Sequence, residues 1–322
     1  VDNNYRQKFF GKDGDTRWVK KNLIKLYKKY THKDVDIRNF SSLEKIYKKY
    51  KNSIKLVIHS AAQPSHDWAK GKPFVDFNIN ALGTLNLLSL TKKYSPYAPF
   101  IYLSTNKVYG DNPNLLPLKE LKFRWEVSKK NKYFNGINES MSIDNCVHSF
   151  FGASKSYADL IVQEYGKNDG LKTVCFRAGC ITGPNHSGAE LHGFLSYLVK
   201  SSITKKKYNI YGYKGKQVRD NLSAHDVSKI FWEIFKKPPP KGEVFNIGGG
   251  MHSNVSILEA IEICQEITGN KINFSYINKA RKGDHIYWVT DMKKFKKFYP
   301  KWNIEYNTKK IIKKMYEYEK II

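Results

Sequence analysis

At 322 residues and 37.4 kDa, the chain is long enough to bury roughly 75% of the surface that it exposes when unfolded. Its 41% of hydrophobic and 26% of charged residues exclude a disordered chain, and no apolar run approaches the ~18 residues of a membrane-spanning helix. A net charge of +27 would usually indicate nucleic-acid binding, but 49 of the 56 basic residues are Lys, spread over nearly every candidate helix. We therefore attribute the charge to compositional bias and predict neither a nucleic-acid nor a membrane partner, keeping nucleic-acid binding as an alternative.

The four cysteines show no CxxC spacing and no histidine at zinc-ligand distance. They are Cys146, Cys175, Cys180 and Cys264. The sequence opens with Val-Asp-Asn-Asn and not with a basic segment followed by an apolar one, as a secretory leader would. We expect a cytoplasmic protein with reduced thiols and no bound metal.

Apolar runs of strand length alternate with segments of helical period, which predicts an α/β fold with a parallel sheet and crossover helices. The predicted strands are 35–37, 55–59, 99–104, 173–176, 208–211 and 244–247, and the predicted helices are 41–51, 73–94, 151–166, 191–202 and 224–236. Between 110 and 149 the periodicity fails, so we predict a long excursion from the sheet. Long loops in compact domains are usually functional.

Four ordered motifs carry the strongest functional signal. They are HSAAQ at 59–63, NALGTLNLL at 80–88, LSTNKVYG at 103–110 and FGASK at 151–155. Together they resemble the extended short-chain dehydrogenase/reductase superfamily, in its nucleotide-sugar epimerase/dehydratase family. Segments 104–111, 182–193, 212–221 and 281–285 are most similar to its CDP-tyvelose 2-epimerase (CDP-paratose 2-epimerase) branch, and the resemblance covers essentially the whole chain.

The resemblance implies a Rossmann-like, doubly wound parallel sheet that binds NAD, formed by residues 1–177 and 221–247. A smaller lobe, residues 178–220 and 248–322, would bind the nucleotide sugar. The implied reaction oxidises the sugar transiently at C2 to a keto sugar and returns the hydride to the opposite face. A homodimer or homotetramer and a role in the synthesis of surface-glycan precursors such as those of lipopolysaccharide are also implied.

The family's functional positions can be carried over to this chain. Thr105 would hydrogen-bond the reacting hydroxyl, while Phe151 and Lys155 stand at the catalytic Tyr and Lys of the family's YxxxK motif. The residues implied to bind NAD are Asp2, Asn3, Arg6, Asp36, Ile37, Ala61, Ala62, Gln63, Asn80 and Lys155. The residues implied to bind the nucleotide sugar are Asn106, Cys180, Asn185, Tyr211, Gln217, Arg219, Arg281 and Asp284, with the two arginines on the diphosphate.

Two departures from the family pattern matter. No glycine-rich GxxGxxG turn precedes Asp2, so we expect a sequence that lacks the first strand and helix, with Asp2 at the end of the second strand. Phe151 replaces a phenol with an ordinary pKa of about 10, and Tyr157 would face roughly 120° away from it on the helix.

The missing phenol leaves several possibilities open. Another group could serve as the base: Thr105 through water, Cys180, or a residue of the 110–149 segment. Alternatively, the chain is a catalytically silent NAD-binding or nucleotide-sugar-binding scaffold. A sugar-nucleotide dehydratase or reductase is a further alternative.

Overall fold

The structure, a computed structural model, describes residues 1–320. Its strands are β1 (Val57–His59), β2 (Phe100–Thr105), β3 (Leu118–Glu120), β4 (Trp125–Val127), β5 (Thr173–Ala178), β6 (Cys180–Thr182), β7 (Tyr208–Tyr211), β8 (Val218–Ser223), β9 (Glu243–Ile247), β10 (Asn254–Ser256), β11 (Phe274–Ile277) and β12 (Tyr287–Trp288). Its helices are α1 (Arg6–Phe10), α2 (Arg17–Leu26), α3 (Phe40–Tyr50), α4 (His66–Gly71), α5 (Pro73–Phe77), α6 (Gly83–Tyr94), α7 (Phe150–Lys167), α8 (Phe194–Thr204), α9 (Ala224–Lys236), α10 (Ile257–Thr268), α11 (Lys293–Phe298) and α12 (Thr308–Glu319). Within residues 1–320, no helix has the length and apolar character needed to cross a membrane.

Four strands form the main sheet, in the order β1-β2-β5-β9. β1 runs parallel to β2, with Val57 opposite Phe100. β5 is buried along its whole length, as expected where helices cover both faces of a parallel sheet. The α/β fold is thus confirmed, and the four sheet strands all coincide with predicted ones.

The chain forms two compact units. Of the described residues, one unit comprises 1–104, 150–176 and 234–244, and the other comprises 105–149, 177–233 and 245–320. The first has a core that includes Leu43, Leu88 and Phe100. The predicted boundaries differ, since residues 105–149 belong to the second unit, where Tyr109 packs in one apolar cluster with Trp288. The functional labels of the two domains remain a prediction.

The prediction of a strand at 35–37, and of Asp2 at the end of another, is wrong. Both segments lack strand structure. Among the described residues, Asp2 N donates to Lys33 O at 3.1 Å, just before segment 35–37, and this single bond is not the repeated ladder that a strand requires. Ile37 instead packs against α6, where a Cβ on Gly83 would lie 2.5 Å from Ile37 Cδ1.

The predicted helix 73–94 is interrupted. A π-helical turn, Asn78–Leu82, separates α5 from α6. Such turns commonly occur at functional sites. This one contains Asn80, a residue that the sequence singled out.

Candidate active site

Lys155 is fixed at the carboxyl end of β2. It follows Phe151 by one turn on α7, so the two side chains share a helix face. Its Nζ donates to Leu103 O at 2.8 Å and lies 4.2 Å from the ring centroid of Tyr102. Burial lowers the pKa of Lys155 to about 7. The Lys155 side chain can therefore exist as ammonium or as neutral amine near neutral pH.

Phe151 is buried, with 7% of its surface exposed. Its ring meets the His66 ring edge to face, with centroids 4.9 Å apart. A phenyl ring carries no dissociable proton, so Phe151 itself cannot act as acid or base. Tyr157 does not compensate, because its ring is 38% exposed and packs against Phe77.

A buried polar network anchors the loop that follows β1. Gln63 N donates to Asn80 Oδ1 at 2.8 Å, and Gln63 Nε2 donates to Asp76 Oδ1 at 2.6 Å. Asn80 Nδ2 also donates to Ser154 Oγ on α7 at 3.0 Å. Gln63 and Asn80 are almost completely buried, so their side chains hold the loop in place. Asp76 has no sequence signal, but Ser154 lies within the FGASK motif.

The amino-terminal candidates form a second group. Asn3 Nδ2 donates to Asp36 Oδ2 at 3.0 Å, so residues far apart in sequence meet. Arg38, which sequence reasoning missed, donates to both carboxylate oxygens of Asp36, and this pairing lowers the pKa of Asp36. The Arg6 guanidinium lies over the Phe10 ring, 4.7 Å from its centroid.

Thr105 begins a short turn in the second unit. Its Oγ1 accepts from Lys107 N at 3.2 Å. Lys107 Nζ donates to Gly283 O at 2.8 Å and lies 3.9 Å from Asp284 Oδ1. Arg219 Nη2 lies 3.4 Å from the same Asp284 oxygen.

Cations outnumber anions around Asp284. The pKa of Lys107 is lowered to about 8, chiefly by burial; the negative charge of Asp284 opposes this shift, and the positive charges of Arg219 and Arg281 add to it. Lys107 and Arg219 thus face one carboxylate, and Arg281 is close enough to act on the charge of Lys107, an arrangement that favours an anionic ligand. Lys107 belongs to the LSTNKVYG motif, but the sequence analysis assigned it no role. Its position two residues after Thr105 is the signal that could have marked it as a site residue.

The remaining substrate candidates also lie in the second unit. Tyr211 Oη donates to Glu190 Oε1 at 2.8 Å, and Gln217 Nε2 donates to Tyr211 O at 3.2 Å. Arg281 Nη2 donates to Leu191 O at 2.8 Å. Asn185 is exposed and Asn106 is buried. Burial raises the pKa of Cys180 to about 11, which makes this thiol a poor base at neutral pH.

Residues 12–248 match the profile of the NAD dependent epimerase/dehydratase family. The chain belongs to this family. It is therefore an enzyme of an NAD-dependent family, as the sequence motifs predicted.

Sequence relatives agree with this membership, and a solved structure shares the fold. The chain is 31% identical to CDP-paratose 2-epimerase of Salmonella typhi over 289 residues, covering 88% of this chain and 82% of the relative. It is 26% identical to UDP-glucuronate 4-epimerase of Thermodesulfobacterium geofontis, covering 93% and 84%. The fold is similar to that of UDP-glucose 4-epimerase of Thermotoga maritima, solved with UDP-glucose, with a TM-score of 0.75, 22% identity and coverage of 93% and 87%.

Several residues of this NAD dependent epimerase/dehydratase family member fit the cofactor. Ala61 and Ala62 are small and not buried, so they leave room for a ligand beside the loop. Asp2 is exposed, and its carboxylate can accept hydrogen bonds from ribose hydroxyls. Among residues 1–320, Lys155 Nζ donates to one acceptor, so the ammonium has hydrogens left for a ribose hydroxyl.

Proposed function

We propose that the protein epimerises a CDP-activated sugar of the paratose/tyvelose type at C2. The observation that carries this proposal is the 31% identity with CDP-paratose 2-epimerase over 88% of the chain. The cationic surroundings of Asp284 suit the diphosphate that such a substrate contains.

Each side chain has a separate task in this proposal. Thr105 hydrogen-bonds the reacting hydroxyl, while Arg219 and Arg281 bind the diphosphate. Tyr211 packs against the base, and Asn106, Cys180, Asn185, Gln217 and Asp284 complete the substrate contacts. Bound NAD would supply the hydride acceptor and donor for the sugar carbon. Lys155 holds the nicotinamide ribose through Nζ, and its near-neutral pKa allows it to take part in proton movement.

An apolar surface on the first unit supports self-association. Phe74 is 83% exposed, and Phe77, Tyr157 and Leu160 are also exposed on α5 and α7. Large apolar side chains that are exposed together usually mark an interaction surface. We propose a second copy of this chain as the partner, in a homodimer or homotetramer. A cytoplasmic location and a role in surface-glycan synthesis remain predictions, as does the absence of nucleic-acid and membrane partners.

Incubation with NAD and CDP-paratose, followed by proton NMR of the sugar, tests the proposal. We expect the C2 epimer, and no product from UDP-glucose, UDP-glucuronate or dTDP-glucose under the same conditions. A C4 epimer of a UDP sugar would contradict the assignment, and a 4-keto-6-deoxy sugar from dTDP-glucose would indicate a dehydratase. Tight binding of CDP-paratose without turnover would instead support a catalytically silent scaffold. The observation that favours this second candidate function is Phe151, which stands where the family has a tyrosine.

A further inference from the structure

His66 is the ionisable side chain whose ring contacts Phe151. It is the first residue of α4, and Ser65 caps that helix by accepting a hydrogen bond from Trp68 N. The centroids of the His66 and Phe151 rings are 4.9 Å apart, and the planes meet at 69°. An imidazole therefore lies beside the position at which the family places a phenol.

The loop that leads into His66 is held by hydrogen bonds. Gln63 Nε2 donates to Ser65 O at 2.8 Å as well as to Asp76, so the amide fixes the residue next to His66. The same network reaches α7 through the hydrogen bond from Asn80 to Ser154. The start of α4 is thus linked to α7 through the buried side chains of Gln63 and Asn80. A side chain held in this way meets the positional requirement for proton transfer.

Imidazole suits the chemistry that the phenyl ring cannot perform. Its ordinary pKa of about 6.5 lies near neutral pH, whereas that of a phenol is about 10. Neutral imidazole accepts a proton at one ring nitrogen, and imidazolium returns it from the same nitrogen. His66 is half-buried.

We propose that His66 is the acid–base residue of this enzyme, in place of the tyrosine that Phe151 replaces. When the sugar C–H bond breaks, its electron pair would leave as hydride for the nicotinamide of bound NAD, while the hydroxyl proton moves to a His66 ring nitrogen and the carbon becomes a ketone. When the hydride returns to the opposite face, His66 gives the proton back to the oxygen. Protons and electrons balance over the cycle. This inference rests on the proposed function, because it requires oxidation of a sugar hydroxyl.

Four forms of the protein separate acid–base chemistry from a structural role: the parent, His66→Gln, Phe151→Tyr, and the double variant. We expect His66→Gln to lower kcat by about 10²- to 10⁴-fold at an unchanged melting temperature. Phe151→Tyr supplies a phenol, so the double variant should recover most of the loss. His252→Gln, an exposed histidine of the second unit, is the matched control and should keep the parental kcat.

Binding gives a readout that does not depend on turnover. The nine histidines can be labelled with ¹⁵N, and the His66 ring resonances are identified by their absence from the His66→Gln spectrum. We expect those resonances to shift when NADH and CDP-paratose are added together, a pair that cannot react by sugar oxidation. The His252 resonances should stay in place.

The outcomes distinguish this inference from the proposed function. If the parent converts CDP-paratose and His66→Gln retains its kcat, the role of His66 is refuted and the proposed function stands. A double variant as inactive as His66→Gln, although folded, would also refute proton transfer by His66. If the parent is inactive on CDP-paratose and the His66 resonances still shift, the substrate assignment fails while the location of His66 in the site is supported. An inactive parent with unshifted resonances would overturn both.

Discussion

Arg219 offers the sharpest test of the anion site. Its side chain is 10% exposed, and Nη1 donates to Val218 O at 2.8 Å. Nη2 lies 3.4 Å from Asp284 Oδ1. In Arg219→Lys the charge is kept, but the planar pair of donors that can bind two phosphate oxygens at once is lost.

The magnitude follows from the contacts that the substitution removes. Loss of a charge-assisted hydrogen bond costs about 1 to 3 kcal/mol, which corresponds to a Kd for nucleotide sugar raised by roughly 5- to 150-fold. The hydrogen bond to Val218 O contributes to folding as well, so a small fall in melting temperature is also expected. Because the group is mostly buried, added salt should reduce the effect only slightly.

Isothermal titration with CDP-paratose, and with CDP alone, measures this change. Arg17→Lys is the matched control, since the Arg17 side chain is 63% exposed and pairs with Asp15 at 2.6 Å in the other unit. The control should bind as the parent does. An unchanged Kd in Arg219→Lys, or an equal loss in Arg17→Lys, would refute the assignment of Arg219 to the diphosphate.

Three further predictions concern stability and assembly. Asn80→Ala removes the hydrogen bonds that Gln63 N and the other buried partners of Asn80 make with its side chain. We expect the free energy of unfolding, measured in urea, to fall by about 2 to 4 kcal/mol. A loss below about 1 kcal/mol would contradict the importance of the network. Burial lowers the pKa of folded Lys155 to about 7 from an ordinary 10.5, so the unfolded chain binds more protons between these pH values and stability rises with pH there. Lys155→Met should remove up to about 1.4 kcal/mol per pH unit of that rise, and parallel curves for parent and variant would argue against the lowered pKa. Phe74→Asp should shift the protein toward monomer in sedimentation experiments. Tyr97→Asp is the control, because Tyr97 is 75% exposed, and it should not change the oligomeric state. Equal behaviour of the two variants would exclude the α5 and α7 face as the interface.

The elements that were predicted well are the ones with strong local signals. Strand β2 and helix α7 begin and end within one residue of their predicted bounds, because each has a clear apolar period and a distinct beginning or end. The three-residue pattern at 35–37 is too short to show an apolar period or a distinct end. An alternating sequence becomes a strand only when a neighbouring strand completes its hydrogen bonds, and the sequence does not show whether that neighbour exists.

Sequence reasoning named candidate site residues where a motif indicates chemistry, and it gave no information on contacts that depend on packing. Lys155 and Arg219 stood out because their residue types are required at those places in the family pattern. The contacts of His66 with Phe151 and of Gln63 with Asp76 depend on how α4, α5 and α7 pack. Local sequence does not specify such packing. Lys107 had a local signal, but its contacts with Gly283 and Asp284 come from a distant part of the chain.

Conversion of CDP-paratose deuterated at C2 tests the central claim most directly. If the enzyme oxidises C2 and returns the same hydride to the opposite face, the CDP-tyvelose product retains deuterium at C2, as judged by NMR and mass spectrometry in ordinary water. Product that carries hydrogen from the solvent at C2, or the absence of any C2 epimer, would contradict the account.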